Sequence, residues 1–203
     1  MKLAGLGVLV IGLGASGRAA ALACVERGAA VVATDQRDAA ALADTAGELA
    51  ARGVRLALGG HDTADFAAAD LIVISPGVPT TMPPLQARRD GVELIGELEL
   101  AGRLLDPAVQ VVAITGSNGK STVTEWLGQM LGASGLQTFV GGNLGRPLCE
   151  LVLEGSPRPD WAVVEVSSYQ LDTASRFAPR VAALLNLSPD HLDRYDGLES
   201  YYA

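Results

Sequence analysis

The chain has 203 residues, 49% of them hydrophobic, with a formal net charge of -8 and a pI near 4.7. That is enough apolar material for one large core or two modest ones, and the acidic balance excludes a sequence-independent grip on nucleic acid, which needs a basic face. No stretch reaches the roughly 18 uninterrupted apolar residues of a membrane helix, and the start "MKLAGLGVLVIGLG" runs into a glycine turn instead of a cleavage site, so membrane insertion is not expected and the chain reads as cytoplasmic.

The first predicted strand is "GVLVIGL", Gly7 to Leu13, and the second is "AAVVATD", Ala29 to Asp35. Between them Gly12, Gly14 and Gly17 fit G-x-G-x-x-G, with Asp35 about twenty residues further on. In such a turn the glycines let the backbone approach a pyrophosphate, whose charge meets the amides of the helix N-terminus. On this motif alone NAD or a related dinucleotide, another phosphate ligand and an empty tight turn all remain open. Ser16 and Arg37 add donors without choosing between them. "LIVIS" (Leu71 to Ser75) and "VELIG" (Val92 to Gly96) read as further buried parallel strands, with Ala-rich helices between the first three, which makes this half a doubly wound α/β unit. "SPGVP", Ser75 to Pro79, follows a strand where open α/β sheets place ligand loops, with a rigid turn as the alternative. Cys24 and Cys149 lie far apart in apolar surroundings and are expected to be buried free thiols.

A fresh α/β series starts after "LLDPAVQ", with strands near Val111 to Thr115, Gln137 to Val140, Trp161 to Val166 and Val181 to Leu187. Two domains are expected, 1–97 and 98–203. In "AITGSNGKST", Gly116, Gly119, Lys120 and Ser121 sit at a strand-to-helix junction, where backbone amides can cradle phosphates, the lysine can meet the terminal ones and the serine can ligate magnesium. Ile114 stands where the usual phosphate-loop pattern has its first glycine. "DWAVVEVSS" delivers Glu165 to the end of a strand, where beside a phosphate loop it becomes a metal candidate. "NLSPDHLDRY" supplies Asp190, His191 and Asp193, whose spacing alone makes no ligand set, and His61 in "GGHD" reads as a solvated or hydrogen-bonded loop residue. The final "DGLESYYA" starts what reads as a helix, so the chain is expected to end inside a domain.

With "GLGASG", "SPGVP", "GELEL", "AITGSNGKST", "GGNLG", "EVSSYQLD" and "NLSPDHLDRY" in this order, the chain resembles the Mur ligases over essentially its whole length. These are ATP-dependent amide-bond-forming enzymes of peptidoglycan precursor synthesis. Their loop reads T-G-x-N-G-K-[ST], so Ile114 is typical of the family. The resemblance implies an α/β fold with a Rossmann-like N-terminal domain followed by the first part of a P-loop-type ATPase domain. It also implies that the first turn binds the uridine diphosphate of the substrate and performs no hydride transfer. Gly14, Ala15, Ser16, Asp35, Gln36 and Arg37 would surround uracil and diphosphate, with Ser75, Pro76 and Gly77 nearby, Asn143 on the substrate's phosphate side and at the active-site mouth, and His191 near the muramoyl substrate. Ala15 and Gln36 occupy variable positions. ATP would be held by Thr115, Gly116, Ser117, Asn118, Gly119, Lys120, Ser121 and Thr122; magnesium by Ser121, Glu165 and His191; and Lys120, Glu165 and His191 would be catalytic.

Within the family the chain looks most like the ligases that add D-glutamate to UDP-N-acetylmuramoyl-L-alanine, ATP going to ADP and phosphate through an acyl phosphate. The full-length protein would be a monomer. The family's carbamylated lysine, which helps hold the second magnesium, the rest of the ATPase domain and the amino-acid-binding domain would fall beyond Ala203, so these residues alone are expected to be a fragment without turnover. An NAD-dependent oxidoreductase built on Gly12, Gly14, Gly17 and Asp35, or a non-catalytic nucleotide-binding module, is the alternative; the oxidoreductase leaves the second loop and Glu165 unexplained.

Overall fold

Parallel strands buried on both faces must be apolar throughout, and the computed structural model, which describes residues 1–189, puts each such run in a sheet. Two compact units result. The first comprises Met1–Asp106, Arg146–Pro157 and Tyr169–Ala178. Its strands are β1 (Gly7–Ile11), β2 (Ala30–Asp35), β3 (Arg55–Leu58), β4 (Leu71–Ile74) and β5 (Glu93–Gly96), all parallel in the order β3-β2-β1-β4-β5. Helices α1 (Ala15–Val25), α2 (Ala43–Ala51), α3 (Thr63–Ala68) and α4 (Glu97–Leu104) complete it. Leu9, Ile11, Ile72 and Ile74 pack with Phe66 of α3, while α1 buries the continuous run Ala19 to Cys24. The strand order reverses between β1 and β4, and the carboxyl ends of these two strands flank the crevice where open α/β sheets bind ligands.

The glycine turn joins β1 to α1. A Cβ on Gly17 would lie 1.8 Å from the Gly12 carbonyl oxygen, so only glycine lets the helix start this close to the strand. Two differences from the sequence reading belong here. β1 stops at Ile11 instead of Leu13, because the Leu13 N–H leaves the ladder for the Asp35 side chain. β3 stands where only helix was expected between the second and third strands; it is a short, partly exposed edge strand that opens with Arg55, and its apolar run, Leu56 to Leu58, is too short to stand out.

Two acids of α4 hold the later segments of the unit. Glu99, fully buried, accepts the backbone N–H groups of Ser175 (2.9 Å), Arg176 (2.9 Å) and Phe177 (2.9 Å) and the Arg103 guanidinium (2.6 Å). Glu97, also buried, accepts the Cys149 N–H. Cys24 and Cys149 are buried and free, as expected.

The second unit comprises Pro107–Gly145, Arg158–Ser168 and the chain from Pro179 onward. Strands β6 (Gln110–Thr115), β7 (Thr138–Gly142), β8 (Trp161–Glu165) and β9 (Val181–Leu184) run parallel in the order β7-β8-β6-β9, and α5 spans Lys120–Ala133. Val112, Ile114 and Val163 form its core under Val123, Leu127 and Leu131 of α5. β9 ends at Leu184, short of the expected Leu187, because Asn186 and Ser188 turn away to bond the loop before α5. Among the described residues no helix is long and apolar enough to cross a membrane.

Candidate functional site

In the first unit a cleft of about 430 Å³ opens at the N-terminus of α1, lined by Leu13, Gly14, Ala15, Arg18, Arg37 and the stretch Ala40 to Thr45. Gly14 caps α1 with no side-chain hydrogen bond, and the first amides of a helix have no intrahelical acceptors, so this end favours an anion. Asp35, at the end of β2, accepts from the Leu13 N–H (2.7 Å), the Arg37 N–H (2.9 Å), and Arg37 Nε (3.0 Å) and Nη2 (2.8 Å). The Arg37 guanidinium outweighs the effect of burial and, with the two backbone donors, holds the Asp35 carboxyl down at about 2.

The expected residues divide by position. Gly14, Ala15 and Arg37 line the cleft, while Asp35 lies buried beneath it as the anchor of Arg37 and of the turn. Ser75 is buried too, and its hydroxyl donates to the Gly12 carbonyl (2.7 Å), fixing the turn from below. Ser16, Gln36, Pro76 and Gly77 are outside the lining, Gln36 and Gly77 being exposed. Arg18 and the stretch from Ala40 to Thr45 were not foreseen; the recurrence of Arg18 one turn after Gly14 is the signal that could have found the former. His61 is a hydrogen-bonded loop residue, 2.9 Å from Thr34 Oγ1.

In the second unit, β6 runs through Thr115, so the loop proper is only Gly116 to Gly119 and Ile114 is a core residue of the strand. Lys120 opens α5, and its ammonium donates to the carbonyls of Gly116 (2.6 Å) and Ser117 (3.2 Å). The loop is clasped from the side: Asn118 N–H donates to Asn186 Oδ1 (2.9 Å), Asn186 Nδ2 to the Asn118 carbonyl (2.9 Å), and Ser117 Oγ to the Ser188 carbonyl (3.0 Å). Thr122 is exposed on the first turn of α5.

Glu165 ends β8 beside this loop with 3% exposure, and its side-chain donors among the described residues are neutral: Ser121 Oγ to Oε2 (2.6 Å) and Asn143 Nδ2 to Oε1 (2.9 Å). A buried carboxylate satisfied by neutral donors retains lone pairs and net charge for a cation. Among the described residues no three His, Cys, Asp or Glu side chains gather as a metal cluster. Asp190, His191 and Asp193 lie outside the described residues.

Two family descriptions match this arrangement: the Mur ligase MurD-like N-terminal domain over residues 7–96 and the Mur ligase middle domain over residues 114–203. The chain belongs to the Mur ligase family. Curated relatives include the UDP-N-acetylmuramoylalanine–D-glutamate ligases of Geobacter metallireducens, 52% identical over 99% of this chain, and of Anaeromyxobacter dehalogenans, 54% identical over 100%. The chain spans 44% and 43% of their lengths. Among solved structures, a UDP-N-acetylmuramate:L-alanyl-gamma-D-glutamyl-meso-diaminopimelate ligase from Neisseria meningitides shares the fold with a TM-score of 0.60 at 23% identity, covering 97% of this chain and 65% of that one. A murein peptide ligase from Psychrobacter arcticus gives 0.55 at 21%, covering 93% and 44%. As a Mur ligase, the chain carries its two glycine turns at the carboxyl ends of β1 and β6, one for each unit.

Proposed function

We propose that this chain supplies the uridine-nucleotide and ATP sites of a ligase that adds D-glutamate to UDP-N-acetylmuramoyl-L-alanine. The observation that carries the reading is Glu165, buried beside the Gly116–Gly119 loop and held by Ser121 and Asn143. It is supported by curated relatives of that activity at about half identity along the whole chain.

The roles follow from position. Thr115 to Thr122 hold ATP, its phosphates meeting the loop amides. Lys120 exchanges two neutral carbonyls for phosphate oxygens, a swap that an anion favours. Ser121 and Glu165 fit magnesium, which keeps several waters and needs few protein ligands, and His191 is assigned beside them by the family motif. Bound magnesium supplies charge neutralisation between the polyphosphate and the attacking carboxylate. The alanyl carboxylate attacks the γ-phosphate and displaces ADP, giving an acyl phosphate; the D-glutamate amine then displaces phosphate. Lys120 lowers the barrier of the first step by countering charge as two anions meet. Gly14, Ala15, Ser16, Asp35, Gln36 and Arg37 form the uridine-nucleotide side, with Ser75, Pro76 and Gly77 below and beside the turn. Both Asp35 oxygens already accept from Leu13 and Arg37, which weighs against their serving the ribose of NAD.

Calorimetric titration of the 203-residue chain with UDP-N-acetylmuramoyl-L-alanine, NAD and a non-hydrolysable ATP analogue with magnesium tests the reading. Binding of the first and third, with the third abolished by Lys120→Ala, is expected. NAD binding without a uridine-nucleotide response overturns it. In a ligase of the relatives' full length, incorporation of labelled D-glutamate with loss by orders of magnitude in Lys120→Ala tests the reaction itself.

A further inference from the structure

The cleft of the first unit contains two guanidinium groups, and they are held differently. Arg37 is tied to Asp35 by two side-chain hydrogen bonds, and Asp35 is itself 6% exposed and fixed by two backbone amides. Moving Arg37 would strip a buried carboxylate of its counter-charge, which is costly. Arg18 is paired instead with Glu48 of α2, through Nε to Oε2 and through Nη2 to Oε1 at 2.6 Å, and both side chains are 36% exposed. Although bidentate, this pair is half exposed and screened by solvent, so either group can return to water at a lower cost than the buried Asp35 would incur on losing Arg37.

Arg18 is also aimed correctly. It follows Gly14 by four residues, so both lie on one face of α1, and helical side chains lean back toward the N-terminus. Arg18 lines the same cleft as Gly14 and Ala15, at whose end the first-turn amides of α1 carry no side-chain cap, so a guanidinium released from Glu48 is within the cleft that those amides border. A planar guanidinium beside free helix amides suits a diphosphate, which can accept from both.

We propose that Arg18 is a diphosphate-recognition residue of this cleft, held by Glu48 in the free protein and transferred to the ligand's phosphates on binding. The inference rests on the cleft being the uridine-nucleotide site. Glu48 then turns to solvent, and Arg37 with Asp35 stays in place as the fixed wall. The ligand class is a nucleoside diphosphate, and recognition falls on its phosphates and not on its base.

UDP, UMP and uridine are titrated calorimetrically into the 203-residue chain and into Arg18→Ala, Arg18→Lys and Glu48→Gln, with thermal melts confirming folding. Arg18→Ala is expected to weaken UDP about tenfold while leaving uridine unchanged, with Arg18→Lys in between. Glu48→Gln is expected to tighten UDP several-fold, since it releases the guanidinium. These opposite signs separate recognition from a structural ion pair, for which both substitutions weaken all three ligands alike. That parallel loss, or an Arg18→Ala effect equal for UDP and uridine, overturns the proposal and leaves the cleft assignment standing. Absence of UDP binding by the unsubstituted chain overturns both.

Discussion

Asn143 holds Glu165 at both ends of the residue, its side-chain amide donating to Oε1 at 2.9 Å and its backbone N–H to the Glu165 carbonyl at 2.8 Å. The strand end is shaped for this contact. Gly142 has φ +108°, and a Cβ there would lie 2.2 Å from the Glu165 carbonyl oxygen, so β7 reaches β8 this closely only through glycine. Asn143, expected on the phosphate side of the substrate, is thus first a positioning residue for the buried carboxylate beside the phosphate loop.

Asn143→Ala removes one of the two side-chain donors that orient Glu165, leaving Ser121 alone. The expected result is a several-fold rise in the magnesium concentration needed to bind an ATP analogue, with metal-free nucleotide binding and thermal stability nearly unchanged. Titration of the analogue across a magnesium series, with chelator as the reference, measures it. An unaltered magnesium dependence would show that Ser121 alone fixes the carboxylate.

Glu97 carries a pH signature that falls between the acidic and the neutral range. Burial pushes its carboxyl up to about 7 from an ordinary value of 4.5; the Cys149 donor opposes this and the nearby Glu150 adds to it. Among the described residues its Oε2 has no hydrogen-bond partner. The folded protein therefore holds this proton more tightly than the unfolded chain. The associated stability is complete below about pH 4.5 and is lost as pH rises through about 7, with an upper bound of about 3 kcal/mol. Urea unfolding at intervals from pH 5 to 9 should show that decline, and Glu97→Gln should flatten it. Equal slopes in the two proteins would assign the pH dependence to another group.

Glu99 differs in kind although only one residue separates the two acids. Burial raises its carboxyl, but the backbone N–H groups of Arg176, Ser175 and Phe177 and the Arg103 guanidinium prevail and hold it below its ordinary range. Glu99→Ala would leave those amides without an acceptor inside the unit, at a cost of about 3 kcal/mol or more. Equilibrium unfolding gives the loss, and hydrogen exchange should show it concentrated at residues 175–177. Uniform loss of protection across the first sheet would point instead to general loosening of the unit.

What could be read from the sequence was whatever a local pattern dictates. β1, β4 and β8 up to Val164 are apolar runs because both faces of a parallel sheet are covered, and the turns at Gly12 to Gly17 and Gly116 to Ser121 carry spacing that few other backbones require. What escaped depends on partners distant in the chain. Glu97 and Glu99 sit in "GELEL", where alternating acids look like a solvated helix face; only the return of residues 146–157 and 169–178 to the first unit buries them. Arg18 was not singled out, because neither Glu48 nor the Ala40 to Thr45 wall has a signal of its own. Asn186 was assigned to a strand, since a run of apolar and small residues does not announce that its end, with Ser188 just beyond it, will clasp a loop some seventy residues earlier, near Asn118.

The last prediction concerns Asp35, whose four hydrogen bonds couple the stability of the first unit to the shape of its cleft. Arg37 is the main cause of its low pKa, ahead of the opposing effect of burial and the help of the Leu13 and Arg37 amides. With the folded value near 2 and the ordinary one at 3.8, the unfolded chain binds this proton more tightly than the folded protein does. The stability it contributes is therefore present above about pH 4 and vanishes as pH falls through about 2, amounting to about 2 kcal/mol. Asp35→Asn should lower stability by about that much at pH 7, and the difference from the unsubstituted protein should close as pH approaches 2. Because Leu13 and Arg37 both line the cleft, the same substitution should weaken uridine-nucleotide binding even at temperatures where the variant is fully folded. Chemical denaturation at intervals between pH 2 and 7, paired with UDP titration at pH 7, reads both effects. A stability difference that stays constant across the series would mean that the Asp35 charge is not what holds Arg37 and the turn, and that packing alone fixes this end of β2.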